Sequence, residues 1–444
     1  MVRIWSFIFL GICMAIQVKA QDTLKLNFQE AVEIGLKNNV TLQRESNNLE
    51  VSIANRNEAK ALYAPGVGAF MNAQKINGQQ FDQVTGVVYR DNTDVASVNL
   101  GGRYVIFDGM NRLYTNKQTQ SQLESQKHLV DRTEQDIIFT VGSQFLQVLM
   151  DKEILRIGLI NLEAQSTTLN QIRGFVEAGT RPLSDQLDQD AAVSQIEVEV
   201  IRAENNLRVD KARFSQTLLL DPGLEIDAMD PDWSFESILV QDYDLDTLYE
   251  LALINRPDYK KTITDQEAAS ATINMAKSLH YPTLEFFGGV GSRYTSQATQ
   301  TDFATQIFES NYVFNYGLEL NIPLYQKNMV KAQKVRAKMA YENSKLEEKD
   351  LRLMIYREVQ TAYLNFSAAK KEYFAAEKQF NAAQEAYNIQ KERYEVGVGT
   401  LVELTRSTWT LVDGAASRAQ ARYTLLFQKI ILDYYTGLLN QENL

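Results

Sequence analysis

Few residues in this chain of 444 have the types and spacing that catalysis or metal binding requires. His128 and His280 are far apart in the sequence, at no spacing to cysteine or carboxylate residues that suggests a metal site. The Gly-Gly-Val-Gly run at 288–291 is not followed by the Lys-Ser or Lys-Thr helix start of a phosphate-binding loop. The carboxylates are spread along predicted helix faces, which does not favour paired acid catalysis. We therefore expect no catalytic residue, cofactor, metal site or enzyme activity.

The chain begins with the pattern of an exported protein. Arg3 precedes an apolar run over residues 4–16, and the Val-Lys-Ala sequence at 18–20 offers the small residues that a signal peptidase reads. This pattern predicts a signal peptide over residues 1–20 and a mature chain that starts at Gln21.

Two other interpretations of the leader are weaker. A lipoprotein signal would modify Cys13, but bulky Ile12 stands where a small residue is needed. A membrane anchor needs about 20 apolar residues, more than this run supplies. Cleavage removes the single cysteine, so the mature chain is expected to lack disulfide and thiol chemistry. No later run of about 18 apolar residues follows, so a membrane role has to come from β-strands.

The charge narrows the choice of partners. The formal net charge is −11, and removal of the leader with its two basic residues makes it more negative. A chain with this negative charge is a poor candidate for binding nucleic acid. It is a reasonable candidate for a protein whose interior favours cations.

The second half of the chain repeats the first. The matches are 59–65 with 276–282 at an offset of 217, 104–107 with 322–325 at 218, and Gly179-Thr180 with Gly399-Thr400 at 220. Such a long period indicates gene duplication rather than a solenoid array.

Both halves contain a strict heptad pattern. In the second half the large residues are Val359, Phe366, Tyr373, Phe380, Tyr387 and Tyr394, with alanines three residues after each of the first four. In the first half the pattern is Val141, Val148, Leu155, Leu162, Leu169 and Val176. The pattern predicts proline-free supercoiled helices over roughly 108–176 and 326–395, each on the order of 100 Å long.

Two hairpins interrupt the helices. Residues 312–322 alternate strictly between apolar side chains and residues such as Asn, Gly and Glu, and residues 97–106 alternate more weakly. Further strands are predicted at 66–73 and 283–292, with water-exposed polar loops at 74–94 and 293–311. Pro65 and Pro282 break the incoming helices, and Pro323 marks the end of the last strand.

Four strands of about 10 residues can cross a bilayer but cannot close a barrel. An open edge in lipid leaves backbone groups unsatisfied at several kcal/mol each. If the strands are in a membrane, several subunits have to pool them.

The order of these features resembles the TolC-like outer-membrane efflux proteins across the mature chain. The motifs that carry the resemblance are the two halves, the helix-Pro-strand junctions, Ile322-Pro323-Leu324-Tyr325 at the second long helix, and Arg393-Tyr394-Glu395-Val396-Gly397 followed by Gly399-Thr400. The resemblance implies a mostly α fold with a transmembrane β part: a homotrimer whose four strands per subunit form a 12-stranded β-barrel, continued by a long α-helical periplasmic barrel. It also implies no catalytic residues.

The same resemblance implies a location and partners. The chain is expected in the bacterial outer membrane, with most of its residues in the periplasm. It would work with a periplasmic adaptor (membrane fusion protein) and an inner-membrane pump, conducting substrates passively. The alternatives are the outer-membrane component of a type I protein secretion system and a periplasmic coiled-coil adaptor or structural protein.

The expected division is a signal peptide at 1–20, a first repeat at 21–220 with its hairpin at 65–107, an equatorial segment at 221–247, and a second repeat at 248–444 with its hairpin at 282–325. The resemblance places helix-turn-helix tips at 175–182 and 394–401, where adaptor docking would use Gly179, Thr180, Gly397, Gly399 and Thr400. A purely structural turn accounts for these glycines equally well.

Two residues after the second tip are candidates for the periplasmic gate. Glu403 stands where the family often has its first gate acid, whereas Arg406 falls near the second such position, where another acid is expected. A Glu-Arg latch, within or between subunits, is one interpretation. An incidental pair on a solvated helix face is the other.

Overall fold

The computed structural model describes residues 23–81, 86–231, 235–298 and 301–439, so the predicted signal peptide lies outside the described part of the chain. The helices are α1 (Phe28–Asn38), α2 (Val40–Ala61), α3 (Asn111–Glu177), α4 (Leu183–Thr217), α5 (Phe235–Val240), α6 (Leu245–Asn255), α7 (Pro257–Ser278), α8 (Phe303–Thr305), α9 (Met329–Glu395) and α10 (Leu401–Thr436). The strands are β1 (Leu24–Leu26), β2 (Gly66–Phe81), β3 (Val88–Phe107), β4 (Ile226–Ala228), β5 (Thr283–Thr295) and β6 (Val313–Asn321), and a π-helical turn spans Gln306–Ser310.

The chain is mostly α-helical, with one four-stranded antiparallel sheet, which agrees with the expected fold class. The predicted long helices are present as α3 and α9, and each has 67 residues. Within the described residues, no helix combines the length and apolar character that crossing a membrane requires.

Two compact units divide the structure. Among the described residues, one unit contains 23–40, Glu134–Leu248 and 359–439, and the other contains Thr41–Thr133 and Tyr249–Glu358.

The core of the first unit follows the heptad pattern, because residues seven apart return to one helix face. Val141 and Val148 of α3 are fully buried, and Phe145 between them packs edge-on against Phe28 at 5.4 Å and Phe214 at 6.0 Å. In α9 the predicted large and small residues Val359, Ala362, Phe366, Ala369 and Tyr373 are all buried.

The two seams differ farther along. In α3 the predicted seam residues Leu155 and Leu162 are only half-buried, and the buried positions there are Asn161 and Gln165. The amide of the buried Gln189 in α4 donates to Gln165 Oε1 at 2.7 Å. This part of the first seam is therefore a polar contact. The position of α4 decides which face of α3 is buried there, and that face is not the one that the heptad pattern predicts.

The first unit also contains a small parallel pair formed by β1 and β4, with Leu24 opposite Ile226 and Leu26 opposite Ala228. Lys152 and Lys211 both donate to the Asp227 carboxylate, at 2.9 and 3.0 Å. The start of the described chain is thus tied to the 221–247 segment, which we continue to propose as the equatorial segment.

The second unit contains the sheet, in the order β2-β3-β5-β6 with antiparallel pairing throughout. The predicted loop at 74–94 is wrong in length, because β2 continues to Phe81 and β3 begins at Val88, with Phe81 opposite Val88. The backbone N–H and C=O groups of these polar residues are satisfied by hydrogen bonds between the strands, as they would be by water. Polar composition alone therefore did not distinguish a strand from a loop.

The predicted loop at 293–311 is also partly wrong. Strand β5 extends to Thr295, and α8 and the π-helical turn follow before β6. Side-chain contacts of Gln306, which is 1% exposed, hold this segment in place.

A buried arginine connects three helices of the second unit. Arg256 lies between α6 and α7 and is 1% exposed. Its guanidinium donates to both carboxylate oxygens of Asp258, at 3.0 and 2.6 Å, and to Glu358 of α9 at 2.7 Å. Burial alone raises the pKa of Asp258, but Arg256 outweighs that effect and holds it below its ordinary value.

Candidate functional site

One face of the sheet is apolar across all four strands. Register brings together Val67, Ala69 and Met71 of β2, Val98, Leu100 and Tyr104 of β3, Phe286 and Val290 of β5, and Phe314, Tyr316, Leu318 and Leu320 of β6. Most of these large side chains are exposed in the single chain. A continuous exposed surface of this kind indicates contact with lipid or protein rather than water.

The opposite face is polar and rich in glycine. Arg103 of β3 lies between two carboxylates, 3.0 Å from Glu285 and 3.9 Å from Glu319. Gly289 has its neighbour's backbone so close that a Cβ there would lie 2.9 Å from the Leu100 carbonyl oxygen. The two faces therefore suit two different solvents, as the alternation of residues 312–322 predicts.

Both outer strands have a free edge in the described chain, since β2 pairs only with β3 and β6 only with β5. The N–H and C=O groups along these edges require partners if the apolar face is in lipid.

The first tip is a Schellman motif at the end of α3. The Thr180 N–H donates to the Phe175 carbonyl at 2.9 Å, and the Gly179 N–H donates to the Val176 carbonyl at 3.0 Å. Gly179 has φ +70°, a conformation that costs other residues about 1–2 kcal/mol. The glycine is thus explained by the turn itself.

The second tip repeats the motif at an offset of 218. The Val398 N–H donates to the Arg393 carbonyl at 2.9 Å, and Gly397 has φ +78°. The equivalent of Gly179 is therefore Gly397, and the predicted match of Gly179-Thr180 with Gly399-Thr400 is wrong by two residues. Gly399 is small for another reason: its Cβ would lie 3.1 to 3.3 Å from Tyr394 and Arg393 atoms.

Thr400 and Glu403 form a capping box at the start of α10. The Glu403 N–H donates to Thr400 Oγ1 at 3.2 Å, and the Thr400 N–H donates to the Glu403 carboxylate at 3.0 Å. These bonds from Thr400, its backbone N–H foremost, lower the pKa of Glu403. Arg406 stands one turn later, and among the ion pairs of the described residues none joins it to Glu403. The expected latch is not formed within the chain.

The two tips contact each other. The Arg181 guanidinium lies over the Tyr394 ring, 4.9 Å from its centroid, and also pairs with Asp185 at 3.4 Å. A cavity of about 1010 Å³ lies behind them, lined by residues that include Phe175, Tyr387 and Leu401. Sequence reasoning missed this contact, because the tips are more than 200 residues apart along the chain.

A carboxyl pair in the first unit was also missed. Asp151 of α3 is buried beside Asp210 of α4, and burial together with the neighbouring carboxyl raises its pKa to about 6. The Asp151 Oδ1 accepts a hydrogen bond from Gln147 at 3.0 Å, and Asp210 also pairs with Arg213 at 2.9 Å. The sequence did contain a signal: Asp151 stands three residues after the seam residue Val148, where the second half has Ala369.

Comparison with known proteins agrees with this geometry. Residues 248–438 match the family model described as "Outer membrane efflux protein". The chain is 21% identical to the outer membrane protein TolC of Escherichia coli (strain K12) over 434 residues, which cover 94% of this chain and 83% of that protein. It is 27% identical to TolC of Salmonella enteritidis over 180 residues, 40% of this chain and 37% of that protein, so this second match spans well under half of either protein.

The fold is shared with a solved structure. The outer membrane protein VceC from Vibrio cholerae superposes with a TM-score of 0.76 at 13% identity, covering 92% of this chain and 96% of that one.

The long helices, the two-faced sheet and the paired tips together define an outer-membrane channel protein with a periplasmic helical part. The chain is similar to the TolC-like outer-membrane efflux proteins, through the family match over residues 248–438 and the fold that it shares with VceC.

Proposed function

We propose that three copies of this chain form one channel that conducts substrates passively across the outer membrane. The apolar face that runs unbroken across four strands, in a sheet with two free edges, carries this proposal. Pairing β2 of one copy with β6 of the next satisfies both edges and gives a closed 12-stranded barrel. The polar face with Arg103, Glu285 and Glu319 then lines the water-filled side.

We further propose that the two tips dock a periplasmic adaptor, which connects the channel to an inner-membrane pump. Large apolar side chains stand exposed around both tips: Leu183 and Leu187 at the first, and Val396, Val398 and Val402 at the second. Three valines that are 71–75% exposed on one tip form an apolar surface, and covering it with protein removes it from water. Gly179, Thr180, Gly397, Gly399 and Thr400 shape this surface.

We propose that Glu403 and Arg406 contribute to the periplasmic gate only through contacts between subunits. Since Glu403 is already held by Thr400 and does not pair with Arg406 in its own chain, a latch would join Glu403 and Arg406 of different copies. Glu403→Gln is the informative variant, because glutamine keeps the capping box and removes the charge. A higher single-channel conductance in Glu403→Gln and in Arg406→Ala is expected. Unchanged conductance in both variants would remove these residues from the gate.

Adjacent residues on opposite faces of β6 test the channel assembly. A lysine at Phe314 is predicted to destabilise the membrane-inserted state by about 2–4 kcal/mol, whereas Asn315→Lys places the charge on the polar face at little cost. Heat-resistant trimers in the outer-membrane fraction are measured for both variants. Phe314→Lys should lose most of them and Asn315→Lys should keep them. Equal loss or equal retention would contradict the assigned faces.

A matched pair of exposed valines tests adaptor docking. Val398→Asp at the tip should abolish pump-dependent export while trimers remain in the outer membrane. Val240→Asp is the control, because Val240 is at least as exposed, 81% against 71% for Val398, but lies on α5, away from the tips. Normal export by Val398→Asp, or equal loss in both variants, would contradict docking through the tip.

A further inference from the structure

The segment between β5 and β6 is not a simple hairpin loop but has helical structure of its own. We call residues 301–312 the rim segment; it contains α8 and the π-helical turn. Asp302 caps α8 by accepting from the Thr305 N–H at 3.2 Å. The rim segment is therefore a folded element with its own start signal.

Gln306 fixes the rim segment to the end of β5. Its Oε1 accepts from the Thr295 N–H at 2.9 Å, and its Nε2 donates to the carbonyls of Thr295 at 3.1 Å and Thr301 at 3.0 Å. Asn311 adds a bond to the Arg293 carbonyl at 2.8 Å. Because β6 pairs with β5 only as far as Gly291, these amides satisfy the part of the β5 edge that β6 leaves open.

The rim segment contacts the apolar side of the sheet. Tyr294 alternates in β5 with Phe286 and Val290, so it belongs to the apolar face. The Phe303 ring lies 4.9 Å from the Tyr294 ring, centroid to centroid. Ser292, on the same face, donates to the Gln306 carbonyl at 3.3 Å.

The height of the apolar face places the rim segment at a membrane boundary. From Leu284 to Tyr294 the strand rises about 34 Å, which at a tilt of about 40° gives about 26 Å along the membrane normal. Outer-membrane barrels have an apolar band about 25 Å tall with aromatic girdles at its ends. The next row on this face begins with the ion pair of Lys75 and Asp94 at 3.6 Å, the first charges there.

Aromatic side chains project from the rim segment at this level. Phe303 is 51% exposed, Phe308 is 76% exposed and Tyr312 is 63% exposed, whereas the intervening Gln306 and Ile307 are buried. The segment thus buries Gln306 and Ile307 and leaves the three aromatic rings half or more exposed in the single chain, as Phe314 and Tyr316 of β6 are.

We infer that the rim segment is a membrane-interface anchor whose Phe303, Phe308 and Tyr312 rings insert at the boundary between headgroups and acyl chains of the outer leaflet. Outer-membrane barrels have girdles of aromatic residues at this boundary, and the ring of tyrosine, apolar with a polar hydroxyl, suits it particularly well. The anchor rests on the proposed channel assembly, which puts the apolar face of the sheet in lipid. It would hold the barrel at a fixed depth and keep β5 from fraying beyond the last ladder pair with β6.

Spin labels on single cysteines test the inference, because the only native cysteine, Cys13, lies in the predicted signal peptide. Labels are placed at Phe308 in the rim segment, at Phe314 as the lipid reference and at Asn315 as the water reference, in trimers reconstituted into outer-membrane lipid vesicles. Accessibility to oxygen and to a water-soluble nickel chelate gives the depth of each label.

The expected result is a Phe308 label that oxygen reaches at least threefold better than the nickel chelate, at a depth shallower than the Phe314 label. A Phe308 label as open to nickel as the Asn315 label would overturn the anchor. So would a label shielded from both reagents, which would indicate contact with a neighbouring subunit. If the Phe314 label itself is open to nickel, the channel assembly fails, and the anchor with it.

A second measurement guards against local disturbance by the label. Phe308→Trp in vesicles of brominated lipid should show strong quenching of the added fluorescence, and Glu309→Trp, one residue away, serves as its matched control. Equal quenching at both positions, or quenching at neither, would contradict a directed insertion of the Phe308 ring.

Discussion

The two halves of the chain share one order of elements, yet their buried contacts use different chemistry. The second half has an apolar large-and-small seam, with Phe366 and Ala369 in α9 buried. At the offset of 218, Ala369 corresponds to Asp151, which is buried beside Asp210. The two halves therefore kept the same order of helices and strands after the duplication, while the side chains buried at equivalent positions diverged. Residues that differ between equivalent positions are the ones to change first.

The largest expected effect is at the helix junctions. Arg256→Met leaves the half-buried Asp258 and Glu358 without the cation that joins them. We expect a loss of about 3 kcal/mol in the free energy of unfolding, the lower end of the range for breaking a buried pair. Asn39, one residue before α2, stands at the equivalent junction of the first half, and Asn39→Ala should cost much less. Denaturant unfolding of trimers in detergent measures both. Equal costs would mean that the arginine cluster is not a special feature of the second half.

The next effect concerns the polar part of the first seam. Gln189→Ala leaves the buried Gln165 side-chain amide without its hydrogen-bond partner, which should lower the free energy of unfolding by about 1–3 kcal/mol. Replacing both residues by leucine should recover most of that loss, because no polar group is then left unpaired. A double-mutant cycle on the unfolding free energy checks this. A double variant that is worse than the sum of the single changes would show that the amides are needed for more than their mutual bond.

A smaller effect distinguishes the glycines of the two tips. Gly179→Ala and Gly397→Ala put a Cβ on a left-handed residue and should each cost about 1–2 kcal/mol. Asparagine at either position should be tolerated better than alanine. Gly399→Ala meets only a tight contact and should cost less. Thermal unfolding and pump-dependent export are measured for all variants. A larger loss of stability in Gly399→Ala than in Gly397→Ala would favour Gly399, at the offset of 220, as the equivalent of Gly179.

The last predicted change is a slope with pH rather than a loss of stability at one pH, and it is confined to the first half. The pKa of Asp151 is about 6 in the folded chain, above its ordinary value of 3.8, so the unfolded chain releases this proton first as pH rises. This group therefore lowers stability as pH rises from about 4 through about 6. Asp151→Asn should flatten the Tm profile across that range and raise the Tm at pH 7. The control Ala369→Ser, at the equivalent position, should leave the slope of the profile unchanged.

Local patterns along the chain allowed most elements to be predicted. Heptads such as Val141 and Val148 predict α3 because burial on one side of a helix repeats every three to four residues. Alternation from Phe314 to Leu320 predicts a two-faced strand for the same kind of reason. These signals do not depend on knowing any partner, so the sequence contains them in full.

The candidate site was predicted less completely. Gly179 and Gly397 were identified as turn residues, but their equivalence was obscured by Gly399, because the two glycines of the second tip allow two alignments with the first tip. Glu403 was found as a candidate gate acid, whereas its bond to the Thr400 N–H follows from the backbone geometry at the start of α10.

Periodicity, the two prolines before the hairpins and the duplication determined the long helices, the four strands of the larger sheet and its apolar face by sequence alone, whereas the short β1-β4 pair was not predicted. Tertiary structure decided where the polar strands end, how β3 and β5 join the hairpins into one sheet, and which buried groups meet. Arg256 with Glu358 and Asp151 with Asp210 are separated by 102 and 59 positions. Their contacts depend on how helices pack, and no local repeat in the sequence records that packing.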